Sequence, residues 1–205
     1  MGDNTKLRLY MTVKKTQSLG PFNRYGIWVQ GCLKKCTGCI SEDAQSLAGG
    51  YEVGVPVLAR EILNTPDIEG ITISGGEPFL QSAALVELIE LIKNERDLGI
   101  IVYTGMNYDE IENDSLSKLC DITIDGDYIE SLNDGLSLRG SSNQIVIMLT
   151  NRYVNKLSLY GAKGRKIELH FINDRVTMVG IPDKKSLAKL LGKKNNREAD
   201  INERN

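Results

Sequence analysis

The sequence predicts an α/β fold: βα units on a mainly parallel sheet, any barrel being a partial (β/α) barrel, followed by a C-terminal β-hairpin extension and a polar tail. Short β-rich runs alternate with helical stretches, the pattern that lays helices on the faces of parallel strands. The 205 residues fall short of the roughly 250 that a complete eightfold barrel takes. Hydrophobic residues at 41% and charged residues at 25% supply a core that needs no disulfide staples.

The elements follow in order. Residues 1–10 are mixed-polar with no apolar leader stretch, and no run approaches membrane-spanning length, so a cytoplasmic protein is expected. The first strand is 25–30, running into Gly31 and Cys32. A helix at 56–64 has Pro56 in its first turn, and Pro66 closes it. Residues 70–74 are a β-branched strand ending in Gly75-Gly76. At 82–95 the apolar stripe Leu85, Leu88, Ile89, Ile92 marks the clearest helix. A strand at 100–103, a weaker helix at 109–119 and a strand at 121–125 come next, before a Gly-, Ser- and Asp-rich loop at 126–143, a functional type of loop inside a compact domain. Strand returns at 144–149. Runs 167–172 and 176–179 form a hairpin about Asn173-Asp174. Leu187, Leu190 and Leu191 predict a short amphipathic helix, and the last dozen residues read as disordered. The chain thus divides into a core at 1–150, a β extension at 151–182 and a helix with tail at 183–205.

Lys plus Arg number 25 against 27 Asp plus Glu, a formal charge of −2. No basic excess draws the chain to nucleic acid or to an anionic membrane, and neither is expected as a partner.

Three of the four cysteines, Cys32, Cys36 and Cys39, share one short loop with Cys-x3-Cys-x2-Cys spacing. A reducing compartment favours metal ligation over a disulfide for such a group. Three thiolates suit an iron–sulfur cluster, and because a 4Fe–4S cluster normally takes four cysteines, one iron stays open for a substrate or cofactor. Gly31 and Gly38 let the loop curl, and Lys34 and Lys35 are expected to favour the thiolates. Two alternatives compete: structural zinc with Cys120 or His170 as a distant fourth ligand, although zinc ligands more often come as two close pairs, and three free thiols.

Ser74-Gly75-Gly76-Glu77-Pro78 stands at the carboxyl end of a parallel strand, the edge where α/β sites assemble. Two residues without Cβ atoms let a ligand lie against backbone, and Glu77 offers a charge to an ammonium group. Read alone, the motif is equally a strand-to-helix turn with a solvated glutamate.

The cysteine spacing followed about 35 residues later by Gly75-Gly76-Glu77-Pro78 resembles the radical S-adenosylmethionine (SAM) superfamily. The strings Gly20-Pro21-Phe22-Asn23-Arg24, Val102-Tyr103-Thr104-Gly105, Ile124-Asp125-Gly126 and Leu138-Arg139-Gly140-Ser141-Ser142-Asn143-Gln144 narrow the resemblance. They are similar to the glycyl-radical activating enzyme group, in particular the family that activates anaerobic ribonucleoside-triphosphate reductases. The resemblance implies a partial barrel of the radical SAM type, one 4Fe–4S cluster held by Cys32, Cys36 and Cys39, and SAM chelated at the open iron. One electron cleaves SAM, and the 5′-deoxyadenosyl radical abstracts hydrogen from the substrate. It places Gly38, Cys39, Ile40, Gly76 and Glu77 at SAM, with Arg139, Ser141 and Asn143 near its carboxylate or ribose. It implies a protein or peptide substrate, a glycyl-radical enzyme, and an electron donor such as flavodoxin or ferredoxin.

About 55 residues follow the Asn143-Gln144 string, where that family usually stops soon after it. They cover the open side of a partial barrel, bind another partner, or take no part in the chemistry. A maturase acting on a peptide or small metabolite such as a pterin is the alternative enzyme, and a zinc-binding module without catalysis is the alternative of another class. Asp125 either faces the site or caps the following turn. His170 reads as a packed or surface residue, Cys120 as a small buried hydrophobe, and Trp28 as core.

Overall fold

The computed structural model describes residues 5–156, 165–172 and 175–182. Their elements run β1 (Lys6–Thr16), β2 (Arg24–Val29), β3 (Tyr51–Gly54), α1 (Val55–Leu63), β4 (Gly70–Gly75), α2 (Ser82–Lys93), β5 (Gly99–Tyr103), α3 (Tyr108–Ile111), β6 (Ile122–Asp125), β7 (Ile145–Met148), β8 (Glu168–Ile172) and β9 (Arg175–Val179). The predicted turn at Asn173-Asp174, the helix through Leu187 to Leu191 and the tail lie outside the described residues.

Seven strands form one sheet in the order β3-β1-β2-β4-β5-β6-β7, and β8 and β9 pair antiparallel by themselves. β2, β4, β5 and β6 are parallel, the part the βα alternation predicts. β1, β3 and β7 are antiparallel to their neighbours and widen the sheet beyond that expectation. β7 runs antiparallel because the long 126–144 loop, not a crossover helix, carries the chain back from β6. Among the described residues β3 and β7 are the two margins of an open sheet.

One face of the sheet carries α1 and α2. The predicted stripe Leu85, Leu88, Ile89 and Ile92 is fully buried there against Ile71, Ile73, Ile100 and Val102. The opposite face holds a smaller cluster of Val13, Leu19, Trp28 and Val179. β1 serves both faces because its pairing slips by one residue at Tyr10: Leu9 pairs with Val29, but Met11 pairs with Trp28. A one-residue bulge exchanges the faces of a strand. Leu7 and Leu9 therefore point to the helices, and Met11 and Val13 to Trp28.

The helix expected over 109–119 is two short pieces, α3 and a 3₁₀ turn at Ser117–Leu119. Asn107 and Glu110 form a capping box that starts α3, and the Asp114 carboxylate then accepts the Leu116 N–H at 2.8 Å. That local bond competes with helical pairing and stops the helix early.

The amino ends of the parallel strands are tied by Arg24, fully buried. Its guanidinium donates to the carbonyls of Ile71 at 2.7 Å and Gly99 at 2.8 Å, to Thr72 Oγ1 at 2.6 Å and to Tyr153 Oη at 2.9 Å. Leu19, Arg24 and Tyr153 thereby fasten the far edge of the sheet, and the carboxyl edge is left to the loops that carry chemistry.

Candidate functional site

Four loops meet at the carboxyl edge of β2, β4, β5 and β6. β2 enters the cysteine loop through Gly31, whose N–H donates to the Ala44 carbonyl at 2.8 Å, and the Cys32 N–H donates to Gln45 at 3.0 Å. The Gly76 N–H reaches the Val29 carbonyl and the Glu77 N–H reaches that of Gly31, each at 2.8 Å. The cysteine loop and the glycine strand end are therefore one hydrogen-bonded unit. The glycine pair makes this possible. Gly75 sits at φ +103°, and a Cβ on Gly76 would overlap the Gly31 carbonyl oxygen. The glycine pair predicts room for a ligand against the backbone; at Gly76 the neighbouring loop fills the space of the missing Cβ.

Cys32, Cys36 and Cys39 line a single cleft with Ile40, Gly75, Gly76, Glu77, Thr104, Gly105 and Gln144. Glu77 is buried there. Its Oε1 accepts from Thr104 Oγ1 at 2.8 Å and from the Phe79 N–H at 3.1 Å, and its Oε2 from the Gly105 N–H at 2.9 Å. Burial pushes its carboxyl above the ordinary value, against the pull of those three donors and of Lys34. Thr104, to which the Val102-Tyr103-Thr104-Gly105 string assigns no role of its own, joins the cleft through its bond to Glu77. A hydroxyl just past a parallel strand, level with the glutamate one strand over, was the available signal.

Burial also pushes the Cys32 and Cys36 thiols up. The backbone N–H groups of Lys34 and Tyr128 bond to these sulfurs and partly offset it. Lys34 acts on Cys36 in the expected direction, its ammonium favouring the thiolate, but it also pairs with Asp127 Oδ1 at 2.8 Å and its effect is smaller than that of desolvation. Coordination to metal deprotonates such thiols outright.

Gly38 takes φ +71°, and the Glu130 side chain packs where a Cβ would stand. Arg139, Ser141 and Asn143 are not brought into the cleft. Arg139 Nη2 pairs with Asp134 at 2.8 Å, buried Ser141 Oγ accepts the Ile129 N–H at 3.1 Å, and Asn143 Nδ2 donates to the Asp127 carbonyl at 2.8 Å. Their neighbours Gly140 and Gln144 line the cleft instead, with Gln144 Oε1 accepting from Gly140 and its Nε2 donating to the Gly126 carbonyl at 2.7 Å. Asp125 is a turn cap, taking the N–H groups of Tyr108 and Ile145.

Neither remote ligand of the zinc alternative approaches the loop. Cys120 precedes β6 at the opposite edge; its Sγ donates to the Leu116 carbonyl at 3.1 Å, and burial pushes its pKa up to about 12. His170 lies on the separate hairpin, 3.1 Å from Glu168 Oε2. Among the described residues no three His, Cys, Asp or Glu side chains converge on the position of one metal ion. A cuboidal cluster presents its irons at separate corners, and an all-sulfur donor set of three suits it. The residues present fit a 4Fe–4S group with one iron lacking a protein ligand.

Residues 19–147 match the family described as a 4Fe-4S single cluster domain. The chain is 30% identical over 141 residues to the anaerobic ribonucleoside-triphosphate reductase-activating protein of Vibrio cholerae, covering 64% of this chain and 91% of that one. It is 32% identical over 111 residues to the pyruvate formate-lyase-activating enzyme of Clostridium pasteurianum, covering 50% and 47%. A third similarity, 37% over 108 residues, is to the 7-carboxy-7-deazaguanine synthase of Hyperthermus butylicus, covering 51% and 44%. Among the described residues no helix is long and apolar enough to cross a membrane.

Proposed function

The chain belongs to the 4Fe-4S single cluster domain family as a radical SAM activating enzyme, and on that premise we propose that it cleaves SAM reductively to a 5′-deoxyadenosyl radical and sets a glycyl radical on a protein partner such as an anaerobic ribonucleotide reductase. The observation that carries this reading is the shared cleft: three cysteines and the Gly75-Gly76-Glu77 strand end line one space at the carboxyl edge of the parallel strands. The open sheet is read as the wall of a partial (β/α) barrel.

Cys32, Cys36 and Cys39 are the residues that hold the cluster, which when bound supplies the electron that opens the SAM sulfonium. Gly38, Cys39, Ile40, Gly76 and Glu77 form the seat for SAM. An ionised carboxylate offers about four lone-pair sites, and internal donors occupy three on Glu77. The remaining site takes the methionyl ammonium. Arg139, Ser141 and Asn143 frame the cleft by holding the 126–143 loop; for Arg139 to reach the SAM carboxylate, its pair with Asp134 has to open. The electron comes from a small donor such as flavodoxin or ferredoxin.

Anaerobic reconstitution tests the reading. About four irons and four sulfides per chain are expected, with 5′-deoxyadenosine formed on reduction and a glycyl radical on the co-expressed reductase by electron paramagnetic resonance. Absence of 5′-deoxyadenosine from the fully loaded protein overturns it. The likeness to 7-carboxy-7-deazaguanine synthase favours a second reading, a radical SAM enzyme acting on a small metabolite; SAM cleavage with no radical on the reductase selects it.

A further inference from the structure

Beside the cysteine cleft lies a second cavity of about 290 Å³, bounded by the sheet on one side and the C-terminal hairpin on the other. Tyr10, Trp28, Ser74 and Tyr103 line it from β1, β2, β4 and β5, and Thr177 and Met178 line it from β9. Ser74, Tyr103 and Ile181 also line the cleft, so the two spaces adjoin. Among the described residues, none that lines the second cavity carries a charge.

The hairpin is fastened over this space at several points. Glu168 Oε1 accepts the Gln17 N–H at 2.7 Å, and Val179 is buried against Val13 and Trp28. Asn133 Nδ2 donates to the Pro182 carbonyl at 3.1 Å, and Arg165 donates to the carbonyls of Arg139 at 2.6 Å and Gly140 at 3.0 Å. The 126–143 loop that frames the cleft thus also carries the hairpin. The hairpin residues follow position 147, where the family match ends, so this wall of the chamber lies outside the matched region, whereas Trp28, Ser74 and Tyr103 lie within it.

Size and lining restrict the occupant. A volume at the lower limit of about 300–1,000 Å³ for small-molecule pockets excludes bulky groups. The described residues of the wall, all uncharged, leave an ion or a phosphorylated metabolite desolvated and unpaired. An uncharged backbone segment meets the Ser74 and Thr177 hydroxyls and the apolar surface of Trp28 and Met178. We propose that residues 176–181 are the substrate-selecting wall of the enzyme, closing a neutral chamber that receives an uncharged, glycine-centred backbone segment of the protein partner and turns charged small molecules away. The proposal rests on the activating-enzyme reading above.

Trp28 is the one tryptophan of the chain, so its fluorescence reports on the chamber. The full chain, loaded and unloaded with cluster, is titrated with the blocked tripeptide N-acetyl-Ala-Gly-Ala-amide and with its counterpart carrying Asp in place of both alanines. A saturable change in emission with the neutral peptide is expected, with at least tenfold weaker response to the charged one. Met178→Trp confuses the signal, so Met178→Phe and Thr177→Leu serve as the filling variants, and each should weaken the neutral titration at least fivefold. Equal response to both peptides, or an unchanged response in both variants, overturns the proposal. In the loaded enzyme the same variants should lower glycyl radical formed per 5′-deoxyadenosine by tenfold or more; an unchanged ratio also overturns it. Failure of the wild-type chain to cleave SAM contradicts the activating-enzyme reading, and the peptide titration still decides on the chamber.

Discussion

Thr104 Oγ1 donates a 2.8 Å hydrogen bond to Glu77 Oε1, joining the carboxyl ends of β4 and β5 beneath the cysteine cleft. The same hydroxyl accepts the Met106 N–H at 3.0 Å, so its direction is fixed. Removing one partner of a buried bond costs about 1–3 kcal/mol. Thr104→Val should therefore weaken SAM binding by roughly tenfold and leave the iron content unchanged. Calorimetric titration of the reconstituted variant with SAM checks both parts.

Glu77 makes SAM binding depend on pH. Burial raises its folded carboxyl above the ordinary value of 4.5, so folding favours the neutral form. Its contribution to stability is complete below the unfolded pKa and is lost as pH rises through the folded one. An ammonium partner favours the ionised form, so SAM affinity should rise over that same interval. The SAM dissociation constant measured between pH 5 and 8 should fall with pH in the wild type and stay flat, and weaker, in Glu77→Gln.

Cys36→Ala should abolish the cluster and SAM cleavage together. Iron analysis with an assay for 5′-deoxyadenosine checks it, and retained cleavage contradicts the assignment of Cys36 as a ligand.

Gly76→Ala places a methyl group on the Gly31 carbonyl oxygen, and that backbone has no flexible end to yield. The variant should lose the register between the two loops and with it most of its cluster occupancy. Gly54→Ala meets nothing nearer than Val57 Cγ2 at 3.7 Å and should bind iron normally. Iron per chain after identical reconstitution compares them.

Tyr153→Phe removes the hydroxyl that accepts from buried Arg24 and donates to Glu69 Oε2 at 2.6 Å. Losing that partner should cost about 1–3 kcal/mol, and a chain of this size then melts about 2–12 °C lower. Thermal denaturation of the metal-free protein measures it, with little change expected in the spectrum of the loaded form.

The central strands and both long helices were legible because their signals are local: Ile71, Thr72 and Ile73 are a continuous β-branched run, buried throughout, and the α2 stripe returns every three or four residues. β1 was not legible. Its bulge breaks the alternation midway, and Arg8, Lys14 and Lys15 interrupt the apolar run. β3 is too short, at four residues, to carry a period. At the site, the cysteine loop and the Gly75-Gly76-Glu77 strand end could be read from spacing and strand position. The competing partners of Arg139, Ser141 and Asn143 could not, because Asp134, the Ile129 N–H and the Asp127 carbonyl reach them through the fold of a long loop. The reach of the hairpin to Trp28 spans some 150 positions of sequence and leaves no local trace.

The slip in β1 works as a shim. Deleting Tyr10 alone would turn the Leu9–Val29 and Met11–Trp28 pairs into consecutive rungs of a regular ladder, with no rung on either side displaced. One aromatic ring and its 3.3 Å bond to Asp43 would leave the chamber rim, while the strands that carry Gly31 and Glu77 stayed in step. A single codon can therefore widen the space beside the reaction without retuning the reaction itself.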